Sequence, residues 1–97
     1  MLLKKEKKIL DEITQVVCEY FGIDKNEINL RYKHPTLTYA RQCIIFVARK
    51  YYGISTYQIS KYMDRSRTAL RHSYKAAIDR GCPEEIVDKL LDKLLED

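Results

Sequence analysis

Between residues 64 and 75 the chain carries Arg65, Arg67, Arg71 and Lys75, with Ser66 and Thr68 among them. These side-chain types suit the base edges and backbone of a nucleic acid. A guanidinium can donate two parallel hydrogen bonds to guanine O6 and N7, a threonine methyl can touch the methyl of thymine, and an ammonium can neutralise a phosphate. At about 100° per residue, Asp64, Arg67, Thr68, Arg71 and Lys75 share one stripe of a helix, while Ala69, Leu70, Ser73, Tyr74 and Ala77 share the opposite side. Any surface helix needs a charged, solvated face, so the stripe alone does not separate a nucleic-acid reader from plain surface.

The residues before it supply the positioning element. Gly53 can end the preceding helix, because glycine adopts the left-handed conformation without steric cost. Ser55 and Gln58 have capping-box spacing and predict a short helix over residues 56–62, with Ile59, Tyr62 and Met63 pointing inward. Asp64 or Ser66 can cap the next helix, which follows with almost no loop. Two helices joined by a tight turn, the second with a basic face, match a helix-turn-helix at about residues 55–79.

Charge is distributed unevenly around this motif. Residues 1–30 hold five bases and six acids, residues 31–75 hold ten bases and one acid, and residues 76–97 hold three bases and seven acids. The segments therefore carry −1, +9 and −4, summing to the net +4. A central block of this kind is the footprint expected of a polyanion binder. Within it, residues 31–37 combine Arg31, Lys33 and His34 with a proline and no apolar repeat, which predicts a loop. A basic loop ahead of a helix-turn-helix is placed to hold phosphates or enter a minor groove, and Arg31 and Lys33 are its candidate contacts. His34 has no second ligand at a metal-binding spacing, so it is expected to be a surface imidazole.

The supporting elements follow from periodicity. A first helix is expected over residues 3–21, with Ile9, Leu10, Ile13, Val16, Val17, Tyr20 and Phe21 at helical spacing and Gly22 ending it. Its lysines at 4, 5, 7 and 8 suit a solvated helix start better than a phosphate site. Asp24 and Glu27 predict a short second helix from residue 25 to about 30. A third is expected to start at Thr36 or Thr38 and run to Tyr52, burying Ala40, Ile44, Val47, Ala48 and Tyr51 and leaving Arg41, Gln42, Arg49 and Lys50 for solvent or phosphate. Gly81 and Pro83 frame a last helix over about residues 83–95, with doublets Ile86/Val87, Leu90/Leu91 and Leu94/Leu95.

Other classes find little support. Cys18, Cys43 and Cys82 are odd in number and lack a Cys-x-x-Cys spacing, so neither a disulfide framework nor a zinc site is indicated. No apolar run suits a membrane span and no signal-peptide pattern is present, which leaves a cytoplasmic protein as the expectation. Two histidines without paired carboxylates, and no glycine-rich loop, predict neither an enzyme nor a cofactor nor a small-molecule ligand. The eight tyrosines suit core packing better than base stacking on RNA.

Taken together, the order of elements resembles the C-terminal DNA-binding domain of the bacterial replication initiator DnaA, whose fold is related to the Trp repressor. The resemblance covers roughly residues 9–79 and rests on Cys18-Glu-Tyr-Phe-Gly-Ile-Asp24, Tyr39-Ala-Arg-Gln42 and Ile54-Ser-Thr-Tyr-Gln-Ile59. The family's recognition helix usually opens Gly-Arg-Asp-His-Thr-Thr-Val-Leu-His, where this chain has Met63-Asp-Arg-Ser-Arg-Thr-Ala-Leu-Arg71. Arg65 and Ser66 thus stand where that pattern has an aspartate and a histidine resembling base-contacting residues. The resemblance implies DNA-contacting roles for Arg31, Lys33, Arg41 and Thr68. Arg67, Arg71 and Lys75 are candidates from the helical stripe instead.

The expectation is one all-α domain over residues 1–97, a compact bundle of about six helices that binds specific double-stranded DNA sequences in replication initiation or its regulation. The chain is expected to be either a piece of a longer initiator or a small stand-alone relative of phage or mobile-element origin. The alternative is a helical interaction module that self-associates or holds a partner through the leucine-rich last helix.

Overall fold

The computed structural model describes residues 4–29 and 34–95, with side chains through residue 93. Leu3, Leu30, Arg31, Lys33 and the side chains of Leu94 and Leu95, all invoked by the sequence, lie outside the described residues. Five α-helices and one 3₁₀ helix make up the fold: α1 (Lys4–Phe21), a 3₁₀ turn (Lys25–Asn29), α2 (Pro35–Tyr52), α3 (Thr56–Met63), α4 (Arg67–Arg80) and α5 (Glu84–Leu95). No strand occurs among the described residues, and the architecture is all-α.

The centre of the bundle is α2. Cys43, Ile44, Ile45, Phe46, Val47 and Ala48 are buried in succession, which a one-sided apolar stripe does not produce. A helix buried all round has neighbours on several sides, and here α1, α4 and the 3₁₀ turn all pack on it. That corrects the expected stripe at one position: Tyr51 is 45 % exposed, and Phe46 takes the inward place. The start of α2 also differs from expectation. His34 is the N-cap, accepting the Thr36 N–H on Nδ1 at 3.2 Å, with Pro35 at the first helical position. Pro35, Thr36 and Leu37 therefore belong to α2 and not to the basic loop. Neither Thr36 nor Thr38 caps the helix.

Against this axis α1 buries Leu10, Ile13, Thr14, Val16, Val17 and Cys18, while Tyr20 at its end is exposed. The short second helix is a 3₁₀ turn, opened by Asp24, whose Oδ1 accepts the Asn26 N–H at 2.9 Å. Its Ile28 is buried in the core. From α5, Ile86 and Leu90 enter the core, Val87 is half-buried and Leu91 is exposed. Only one member of each of these two doublets is fully used. Lys89 and Lys93 of α5 reach Glu19 and Glu12 of α1 at 3.3 and 2.9 Å, tying the two helices together at the surface.

Candidate nucleic-acid interface

Local chemistry sets the two-helix unit as expected. Gly53 adopts φ 63°, ψ 24° and ends α2, and the Ile54 N–H reaches back to the Ala48 carbonyl at 3.0 Å. Ser55 Oγ accepts the Gln58 N–H at 3.2 Å and starts α3. The next turn takes two residues of opposite use. Asp64 closes α3 in the left-handed region at φ 53°, ψ 51°, and Ser66 opens α4 by accepting the Ala69 N–H at 3.1 Å. Of the two cap candidates for α4, Ser66 is the one used.

The buried side of α4 is narrow: Leu70 and Ala77 are buried, and Ser73 and Tyr74 are half-buried. Arg67, Thr68, Arg71, His72 and Lys75 are all exposed. Ala69, expected on the packed side, is exposed too, while Leu70 beside it is buried, so the packed side of α4 is narrower than the expected stripe. Arg67, Thr68, Arg71 and Lys75 thus occupy one open face, with the first turn of α4 at its leading end. His72, one turn after Thr68, belongs to the same face. The 3.6-residue period is the signal for it, since position 72 follows Thr68 by four residues.

Not every candidate is placed so openly. Arg65 is half-buried in the turn, its backbone N–H donating to the Ser60 carbonyl at 3.2 Å. Arg41 donates from Nε to the Ile28 carbonyl at 2.8 Å and from a terminal nitrogen to the Glu27 carbonyl at 3.3 Å. It therefore fastens the 3₁₀ turn to α2. Arg49 is half-buried, with a terminal nitrogen 3.4 Å from the Ile54 carbonyl and its Cζ 5.6 Å from the Tyr74 ring centre. Gln42 is half-buried too, so the solvent face expected of α2 shrinks to Lys50. Arg31 and Lys33 lie outside the described residues.

One neighbour of the face was missed by the sequence reading. Tyr57 on α3 is 40 % exposed. Lys61 Nζ lies 5.3 Å from its ring centre and Arg67 Cζ lies 6.0 Å away. A tyrosine between two cations joins the outer surfaces of the two helices through ring-face electrostatics. The Tyr57/Lys61 pair was visible as an i,i+4 spacing, whereas the Arg67 contact needs the turn geometry.

Comparison with known proteins adds a decisive observation: residues 10–76 match the family described as bacterial dnaA protein helix-turn-helix. The chain belongs to this DnaA family. It is 32 % identical over 74 residues to the chromosomal replication initiator protein DnaA of Nautilia profundicola, covering 75 % of this chain and 17 % of that protein. With the DnaA of Bacteroides thetaiotaomicron it shares 25 % identity over 92 residues, 87 % of this chain and 20 % of the relative. The DnaA of Pseudothermotoga lettingae is 31 % identical over 68 residues, 70 % of this chain and 14 % of the relative. The chain therefore spans a fifth or less of the length of these curated relatives. No solved structure matches. The DnaA match includes α2, the turn and the first ten residues of α4, so the exposed bases through Lys75 fall inside it.

Proposed function

We propose that this DnaA-family chain binds double-stranded DNA in a sequence-dependent manner and serves replication initiation or its regulation, as a binding module and not a catalyst. The exposed face of α4 carries this reading: three bases and a threonine stand outward beside a short α3, capped so that the first turn leads. A helix of this kind enters a major groove by its N-terminal residues. Arg67 and Arg71 are the base-reading candidates, Thr68 a thymine contact, and Lys75 a phosphate contact. Arg65 and Ser66, at the turn, approach the backbone through side chain or N–H groups. Arg31, Lys33 and Arg41 are assigned to the flanking phosphate or minor groove by family resemblance. The test is selection from a randomised duplex library, followed by fluorescence anisotropy of the enriched sequence at several salt concentrations. An enriched motif whose log affinity falls with log salt, at roughly −0.9 per neutralised phosphate, supports the reading. Salt-dependent binding without enrichment removes the sequence dependence.

A second reading, an interaction surface on α5, is favoured by one observation. Tyr51, Ile78 and Leu91, each at least 43 % exposed, line a common groove of about 680 Å³ with Phe46 and Val87. Mass in solution at rising concentration tests self-association through it.

A further inference from the structure

Two of the three cysteines meet across the bundle. Cys43 is buried in the middle of α2, and Cys82 is half-buried in the turn between α4 and α5, packed against the core cluster that contains Cys43. With Cys82 packed on that cluster, the two thiols lie close enough for each to shift the other's protonation. Independent contacts fix the turn in that place. The Tyr39 hydroxyl, one helical turn before Cys43, donates to the carbonyl of Gly81 at 3.2 Å, and Arg80 Cζ lies 3.9 Å from the centre of the Tyr39 ring. The segments leading into the two cysteines are therefore held together. The third cysteine, Cys18, is buried on α1 and serves as an internal control.

We propose that Cys43 and Cys82 form an intramolecular disulfide when the protein meets a hydroperoxide, and that the bond staples α2 to the α4–α5 turn.

The chemistry divides between the two thiols. The neighbouring Cys43 thiol holds the Cys82 thiol below its ordinary pKa, while Cys82 and burial push Cys43 up. Cys82, the more accessible of the two, is the attacking thiolate. Its sulfur takes the terminal oxygen of the hydroperoxide, the O–O bond breaks, and the alkoxide leaves as the alcohol with the thiol proton. Cys43 then attacks the Cys82 sulfenic acid. The S–S bond forms, the S–O bond breaks, and hydroxide leaves as water with the Cys43 proton. Two thiols lose two electrons, and one hydroperoxide becomes alcohol and water.

The position of the bond gives it a consequence. The covalent ring from residue 43 to residue 82 encloses all of α3 and α4, the whole helix-turn-helix. Closing a long loop restricts the unfolded chain far more than the folded one. Oxidation thus clamps the motif in its folded form. The inference stands on the fold and does not depend on DNA binding.

The test exposes the full chain to hydrogen peroxide, then counts thiols by alkylation after unfolding and mass analysis. The expected result is a fall from three free thiols to one, with Cys18 still alkylated, the two bridged cysteines in one peptide pair, and full reversal by dithiothreitol. The oxidised chain should melt at least about 8 °C higher than the reduced one. Cys82→Ser should leave its remaining thiols free, and Cys43→Ala should leave a Cys82 sulfenic acid that dimedone traps. Cys18→Ala should leave bond formation unchanged. Three free thiols after peroxide, or a bond between two copies in place of the internal one, would overturn the proposal. A bond that forms without raising the melting temperature would overturn the clamp.

Discussion

The Nε of Arg41 on α2 lies 2.8 Å from the carbonyl oxygen of Ile28, the residue by which the 3₁₀ turn enters the core. A second nitrogen of the same guanidinium reaches the Glu27 carbonyl at 3.3 Å. These donors satisfy carbonyls that a short 3₁₀ helix leaves without intrahelical partners. Arg41→Ala should lower the free energy of unfolding by about 1.5–3 kcal/mol, the range for hydrogen bonds to a charged group. Arg41→Lys should recover only part, because an ammonium lacks the planar fork that spans two carbonyls. Urea titration measures both. Equal stability of wild type and Arg41→Ala would show that the fork holds nothing in solution.

Across the bundle, Tyr62 of α3 donates its hydroxyl to Asp11 of α1 at 2.5 Å, with Lys7 and Lys25 also beside that carboxylate. Burial alone would raise the Asp11 pKa, but the Tyr62 hydrogen bond, the Lys7 hydrogen bond and both lysine charges outweigh it and hold it below the usual 3.8. A depressed carboxyl stabilises the fold above its unfolded pKa, and that contribution disappears as pH falls below about 3.8. For Tyr62 the sign is opposite. Burial, then the Asp11 hydrogen bond, push its pKa from 10.0 up to about 12, so its contribution is complete below 10 and lost as pH rises towards 12. Tyr62→Phe should cost about 1–2 kcal/mol at neutral pH and flatten both limbs. Melting temperatures across the pH range measure this, and unchanged alkaline behaviour in Tyr62→Phe would remove Tyr62 as its source.

On α4, Arg71 and Lys75 lie one turn apart on the open face, and their expected roles differ. Arg71→Ala should cost about 1–3 kcal/mol on the selected duplex and relax preference at one base position. Lys75→Ala should weaken all sequences alike and reduce the salt slope by roughly one. Parallel anisotropy titrations on selected and scrambled duplexes measure the contrast. Equal losses on both duplexes for Arg71→Ala would reassign it to the backbone.

The Tyr57 ring, between Lys61 and Arg67, should orient Arg67 before any DNA arrives. Exposed cation–ring contacts are worth about 0.5–1 kcal/mol, so Tyr57→Ala should weaken binding a few-fold and Tyr57→Phe should not. In a double-mutant cycle, Tyr57→Ala should have little effect once Arg67 is alanine. Additive losses would mean that Tyr57 acts without Arg67.

Local signals made most elements legible in the sequence. Gly53, Ser55, Ser66 and Gly81 act through their own backbone and near neighbours, and each marks a helix end in the structure. The open face of α4 was legible because an exposed stripe follows the helical period. What could not be seen depends on which helix covers which. Phe46 and Tyr51 are both aromatic residues of α2, and only the packing of several elements on that helix puts Phe46 inside and Tyr51 outside. His34 was missed as a cap because imidazole is an uncommon one; Pro35 after it was the available signal. Arg41 resembles a DNA contact by family pattern and basic surroundings, and in the fold its guanidinium also donates to carbonyls thirteen and fourteen residues earlier in the chain. Sequence proximity could not reveal that duty.

The family match ends at residue 76, but the apolar core does not: Ala77, Ile86 and Leu90 are each 1 % exposed and belong to it. Shared ancestry and mechanical integrity thus have different borders here. A chain cut where the likeness stops would open the side of the bundle that α5 seals and leave Glu12 and Glu19 without their lysine partners. For anyone grafting this helix-turn-helix onto another protein, α5 travels as part of the cargo.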